Sequence, residues 1–208
     1  MMMILVLIAF VQLIEILKMI KYPVLFVHKR SNYKKYLDLF DCFDSERNAL
    51  TFSGTVPVIA HPPCRLWSRL RAFSTAPVEE KNLALWSLEL VRKNGGILEH
   101  PFDSSFWKTF DCPQVGSFDS FGGTSFVFDQ FDFGFYTRKR TRLYIVGLKS
   151  LKELPDLPLK FEPVVRKFQN LTAKQRSETT PELCQWFFEL ISVIQKNKTT
   201  EKIPIKSR

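Results

Sequence analysis

Val56-Pro57-Val58-Ile59-Ala60-His61-Pro62-Pro63-Cys64-Arg65-Leu66-Trp67-Ser68 joins a short apolar run to two prolines and a cysteine. A run of this length bounded by turn residues reads as a buried strand from Val56 to Ala60, and the prolines end it. Proline fixes its own φ at about −65° and biases the preceding residue towards extended backbone. His61-Pro62-Pro63 is therefore a stiff ramp that holds the Cys64 backbone in one place. Two readings follow. Cys64 is either a nucleophile presented on a loop or a small buried apolar residue beyond a strand that simply stops.

Working outward, Pro77 to Lys93 has the marks of an amphipathic helix. Pro77, Glu79 and Glu80 open it, Leu83, Leu85, Trp86, Leu88, Leu90 and Val91 recur along it, and Arg92 and Lys93 close it before Asn94-Gly95-Gly96. Gly96 to Glu99 then reads as another strand, ending in Glu99-His100-Pro101. A strand, a helix and a strand at this spacing form a parallel crossover, which brings Cys64 and Glu99 to the carboxyl edge of one sheet, where open α/β sheets bind ligands. Upstream, Val24–Val27 and Leu37–Asp41 read as strands and Asp44–Leu50 as a helical turn. Downstream, residues 102–136 form a long loop-like region with a strand at Phe126–Phe128. The cationic run Thr137 to Arg142 leads into a strand at Leu143–Gly147. That run is either a solvated turn or a phosphate or carboxylate contact. Leu148–Thr179 is a connector, and a last helix opens with Thr180 as N-cap followed by Pro181 and Glu182.

The chain of 208 residues is 45% hydrophobic and 14% aromatic, enough to bury one core. Its twenty phenylalanines exceed what a core needs, which points to a cleft or a contact surface. A formal charge of +9 favours nucleic acid or an anionic membrane surface. Four cysteines without a C-x-x-C pair and three scattered histidines suggest neither a zinc site nor a disulfide framework, and reduced thiols imply a cytoplasmic setting. Residues 1–20 are almost wholly apolar, either a membrane helix or an over-extended start ahead of Met19. Lys18, Lys21, Lys29 and Arg30 would then leave the rest on the cytoplasmic side. Residues 21–195 form the domain, and 196–208 a basic tail.

Pro62-Pro63-Cys64 with Ser68, then Leu98-Glu99-His100-Pro101, then Arg138, Arg140 and Arg142 before Leu143-Tyr144-Ile145-Val146-Gly147, resemble three successive motifs of the DNA cytosine-5 methyltransferases. In that family these read P-P-C-x-x-x-S, E-N-V and Q-x-R-x-R. The likeness extends to small, divergent methylase-like proteins carried by viruses and mobile elements. It covers roughly residues 24–147 and the last helix. Registered on Gly147, the third motif places Arg138 at the glutamine position. Registered on Phe133-Gly134, it points to Thr137, Lys139 and Thr141.

The resemblance implies a Rossmann-like methyltransferase sheet with flanking helices and a small or missing target-recognition domain. It implies DNA as partner and S-adenosylmethionine as methyl donor. Cys64 would add to C6 of an extruded cytosine, Glu99 would act as the acid at N3 and the 4-amino group, and Arg140 and Arg142 would hold the base and its backbone. Pro62, Pro63 and Leu98 would lie against the cofactor, and Arg65, Ser68, Arg69, Arg71, Arg138 and Lys139 against nucleic acid. The family's glycine-rich loop after the first strand has no equivalent, since Val24–Val27 runs into His28-Lys29-Arg30-Ser31-Asn32-Tyr33. The alternatives are a pyrimidine-modifying enzyme with another donor, or a non-catalytic relic of the fold that binds nucleic acid or blocks a protein partner.

Overall fold

The computed structural model describes residues 20–69, 71–161 and 166–201. The apolar segment 1–20 lies outside the described residues but for Ile20. Among the described residues no helix is long and apolar enough to cross a membrane.

Six strands form one mixed sheet, with helices on both faces. They are β1 (Tyr22–Leu25), β2 (Phe40–Phe43), β3 (Val58–Ala60), β4 (Gly96–Pro101), β5 (Gly123–Asp129) and β6 (Arg140–Val146), in the order β2-β1-β3-β4-β6-β5. β1 to β4 run parallel, and β6 is antiparallel to both β4 and β5. Strand order reverses between β1 and β3. In an open α/β sheet that reversal splays the following loops apart and leaves a crevice at the carboxyl ends.

Alternation along each strand sorts side chains to two faces. Ile59, Ile97, Leu143 and Ile145 pack on one face with Leu183, Phe187, Leu190, Ile191 and Ile194 of the last helix. Val58, Ala60, Leu98, Tyr144 and Val146 pack on the other with Ala84, Leu88 and Val91 of α1 (Lys81–Asn94). Two single-turn helices, α2 (Phe106–Thr109) and α3 (Ala173–Arg176), lie in the connections. Thr180 caps α4 (Pro181–Glu201) by accepting the Leu183 amide at 3.3 Å, while its own hydroxyl donates to the Phe133 carbonyl at 2.6 Å. That helix continues through the 196 boundary expected from composition.

β2 starts later than the apolar pattern places it, and β5 extends the expected Phe126–Phe128 strand at both ends. The chain turns at Tyr36, which leaves Leu37 54% exposed and starts β2 at Phe40. β5 contains the expected Phe126–Phe128, and glycines and aspartates of the surrounding stretch fill the turns at both ends: Asp119 accepts the amides of Phe121 and Gly123, and Asp129 accepts that of Phe131.

Gly96 is where α1 hands over to β4. Its φ is +129°, and a Cβ there would lie 2.1 Å from the Val58 carbonyl oxygen, so only glycine lets β4 approach β3. Gly96→Ala is expected to lower stability on the order of 3 kcal/mol, read as a drop in the urea midpoint with little change in slope.

Candidate active site

Parallel pairing sets Val58 beside Gly96, Ile59 beside Ile97 and Ala60 beside Leu98. Continuing the register places His61 beside Glu99 on the α4 face, and there Nδ1 of His61 meets Oε2 of Glu99 at 3.1 Å. Nε2 of the same ring lies 3.0 Å from the Tyr33 hydroxyl, which comes from the 3-10 turn Asn32–Lys35. The Phe187 ring of α4 packs against the imidazole with centroids 5.7 Å apart. Oε1 of Glu99 accepts from Gln130 Nε2 at 3.3 Å, and Gln130 also donates to Thr141 Oγ1 at 3.0 Å. Tyr33, His61, Glu99, Gln130 and Thr141 thus form one hydrogen-bonded chain.

Past His61 the two prolines turn the backbone, and the Cys64 carbonyl accepts the amides of Trp67 and Ser68, both at 2.9 Å. Trp67 anchors that turn. Its ring is buried against Phe106 and Phe110, and its carbonyl accepts the Ser105 amide at 3.0 Å. His100 supports the turn from the other face of the sheet. Its Nδ1 pairs with Ser104 Oγ at 2.8 Å, while Nε2 has no hydrogen-bond partner among the described residues. Burial lowers the His100 imidazole to about 4, against the opposing influence of Glu99 and the Pro63 carbonyl, so the ring is neutral at pH 7. That carbonyl faces the ring outside hydrogen-bond geometry.

Three titratable groups set the charge in the pocket. Burial pushes the Cys64 thiol up and the Glu99 charge adds to this, with Lys139 opposing, so the resting sulfur is protonated at neutral pH. Burial would raise the Glu99 carboxyl, but the hydrogen bond and charge of His61, with Lys139 and His100, outweigh it and hold the group below its ordinary value. Burial lowers the Lys139 amine while Glu99 and Cys64 act the other way, and its Nζ lies 4.7 Å from the centre of the Phe135 ring.

All of these groups open into a cavity of about 1340 Å³ that covers the carboxyl ends of the four parallel strands. Its walls run from Phe26, Asp44 and Asn48 past His61, Pro62, Pro63 and Cys64 to Glu99, Gln130 and Lys139. Comparison of the chain with protein-family models, with curated proteins and with solved structures finds no match. The site therefore has to be read from its own geometry.

The expected residues divide by strand face. Cys64, Glu99 and Lys139 come together. Arg142 does not join them: it is on the α1 face of β6, where its guanidinium donates to Ser125 Oγ and to the carbonyls of Cys112 and Pro113, over the Trp107 ring at 4.8 Å. Arg140 shares that parity and lies 3.7 Å over the Phe102 ring at the rim of the cavity. Alternation decides this outcome, because the α4 face of β6 carries Leu143 and Ile145 and so takes Thr141 and Lys139 as well. Of the register on Phe133-Gly134, Lys139 and Thr141 line the cavity and Thr137 does not, while of the register on Gly147, Arg138 and Arg140 line it and Arg142 does not. Leu98 is likewise corrected: it is fully buried against α1 and does not line the cavity.

The cations expected to contact nucleic acid are exposed apart from Lys139, and most have acidic neighbours. Arg65 forms a two-pronged pair with Glu80 at 2.8 and 2.5 Å, Arg69 lies 3.6 Å from Asp103, and Arg138 lies 3.7 Å from both Asp129 and Asp132. Arg71 donates to the Ser68 carbonyl at 3.3 Å, and Ser68 Oγ to that of Arg65 at 3.3 Å. Exposed pairs of this kind are weak and exchange readily for other anions. Sequence reasoning assigned no role to Tyr33, His61 or Gln130. Only the strand register would have singled out His61, two places beyond the core residue Ile59.

Removing the Glu99 charge relieves the thiol. Glu99→Gln is expected to lower the pH at which Cys64 reacts with iodoacetamide and Lys139→Met to raise it, both read from alkylation rates between pH 6 and 10 by mass spectrometry.

Proposed function

We propose that the chain is a DNA cytosine-5 methyltransferase-like protein in which Cys64 adds to C6 of a cytosine held outside the duplex. The observation that carries this reading is the convergence of a thiol, a carboxylate and a buried amine in one cavity at the strand ends. A four-stranded parallel stretch that reverses at β1 and β3, extended by an antiparallel β6, supports a Rossmann-like methyltransferase sheet.

Each group answers a demand of the chemistry. Cytosine C5 is a poor nucleophile until a sulfur attached at C6 converts the ring to an enamine. Glu99 beside N3 and the 4-amino group stabilises the ring as charge develops on it, and Gln130 fixes the carboxylate by its second oxygen. Lys139 is the cation for O2 or a nearby phosphate, in the place the family gives to arginine. An amine is a compact point charge without a guanidinium's fork, so it neutralises charge here more than it orients the base. The exposed arginines around the Cys64 turn and the rim residue Arg140 suit the flanking phosphates.

The far end of the cavity suits a nucleoside-like cofactor. Asp44 follows β2 and accepts from Lys34 and the amides of Glu46 and Arg47. A carboxylate offers about four acceptor directions, which leaves one free. Phe26 makes the turn after β1 at a φ of +62° in place of a glycine. Asp44, Asn48 and the Phe26 backbone would hold the group there, with Pro62 between it and Cys64. S-adenosylmethionine bound at that end would supply the methyl group that an activated C5 takes up.

A resting thiol held protonated gives some weight to the non-catalytic alternative. DNA carrying 5-fluorocytosine separates the two. With S-adenosylmethionine, wild type is expected to form a complex that survives denaturing electrophoresis, and Cys64→Ala to form none. Equal amounts from both proteins would return the chain to a nucleic-acid-binding or partner-blocking role.

A further inference from the structure

Resting on that reading, we infer that His61 is a positioning residue that stores the proton exchanged between the Cys64 thiol and cytosine N3, acting through Glu99. Cysteine addition has a proton problem at both ends. The sulfur must lose one to attack, and N3 must gain one as the enamine forms. In the resting site Glu99 is ionised and cannot supply it, while the thiol still holds its own.

The geometry resolves both ends with one pair. Nδ1 of His61 meets the Glu99 carboxylate at 3.1 Å, and Nε2 meets the Tyr33 hydroxyl at 3.0 Å. A hydroxyl both donates and accepts. When the ring is an imidazolium, Tyr33 accepts from Nε2; when the ring is neutral with its proton on Nδ1, Tyr33 donates to Nε2. The ring loads and unloads a proton with no hydrogen bond lost in either state. Side-chain exposures of 14% for His61 and 16% for Glu99 keep the pair dry while leaving an opening to the cavity. Phe187 and the Pro62-Pro63 ramp hold the ring in place.

The step balances. A sulfur–C6 bond forms, and the thiol proton passes to the Glu99–His61 pair. The pair delivers a proton to N3, and the C5–C6 π electrons become the enamine. The pair ends with the charge it began with. The other titratable groups around it are Tyr33 from the turn before β2, His100 on β4, Cys64 on the adjoining turn and Lys139 before β6. Cys42 of β2 and Cys184 of α4 act on Tyr33.

Two measurements test the assignment. The first needs no substrate: carboxyl carbon NMR of glutamate-labelled protein, with Glu99→Gln identifying the signal. In wild type Glu99 titrates below the ordinary carboxylate range. In His61→Asn burial is unopposed by the imidazole, and the titration moves up by at least one pH unit. Tyr33→Phe keeps the ring and gives a smaller upward move. The second follows tritium released to water from mixed-sequence DNA labelled at cytosine C5, which reversible addition causes without a methyl donor. His61→Asn lowers that release at least tenfold at pH 7 and carries its acid limb upward with the Glu99 titration. An unchanged Glu99 titration in His61→Asn, or release at the wild-type rate, overturns the relay. Tritium retained by wild type defeats the functional reading itself and with it the task given to the relay.

Discussion

The close approach of β3 and β4 at Gly96 is the constraint on which the site depends. With any side chain at that position Val58 would have to move, and the register pairing Ile59 with Ile97 would go with it. That register makes His61 the lateral neighbour of Glu99. In a parallel pair neighbouring residues share a face, so one core pair, Ile59 and Ile97, determines which way the two polar side chains beyond it point. The prolines after His61 then carry the chain out of the sheet, and Cys64 rises over the same strand ends. A glycine in the helix-to-strand corner thus sets the distance between an acid and its histidine at the opposite end of the strands.

The charges in the pocket are held in tension by burial. Burial of the three groups disfavours each of the ionised forms of Cys64, Glu99 and Lys139. Pairing decides among them. Glu99 has two hydrogen-bonding partners and remains ionised, while the thiol, with the Glu99 charge acting on it, remains protonated. A carboxylate that took up a proton would free the neighbouring sulfur to lose one. The site therefore couples the two titrations: losing the Glu99 charge removes one of the two main causes that raise the Cys64 thiol, and burial, the larger, stays.

The parallel half of the fold could be read from the chain, because each of its signals is local. The apolar run before Pro62, the helix between Pro77 and Lys93 and the strand after Gly96 stand next to one another, and a crossover between them has one handedness. Cys64 and Glu99 could be placed at a common edge for the same reason. What could not be read was parity. Lys139 and Arg140 are adjacent and both basic, and which of them shares the α4 face with Glu99 depends on which residues of β6 meet α4, a contact made across some forty residues. The same limit hid His61, whose role depends on register with a strand that comes after a whole helix. Only the middle of β5 could be read, at Phe126–Phe128, since the aspartates and glycines that serve its end turns dilute the apolar signal towards its ends.

The connector after β6 bears on what can reach the cavity. Resemblance led to the expectation of a recognition region cut down to a short link, and the link turns out to build part of the wall. Phe168, Arg176, Ser177 and Thr179 line the cavity opposite the Cys64 turn. Glu178 pins the segment in two directions, accepting from Asn32 at 3.2 Å and from the Tyr136 hydroxyl at 2.8 Å, and the Thr137 hydroxyl donates to the Arg166 carbonyl at 2.6 Å. Asn32 adjoins Tyr33, and Tyr136 and Thr137 precede Lys139, so the wall is tied to both flanks of the relay. These hydrogen bonds hold the two sides of the cavity at a set width. The polar groups that any ligand of the cavity meets at the strand ends are then Glu99, Gln130 and Lys139.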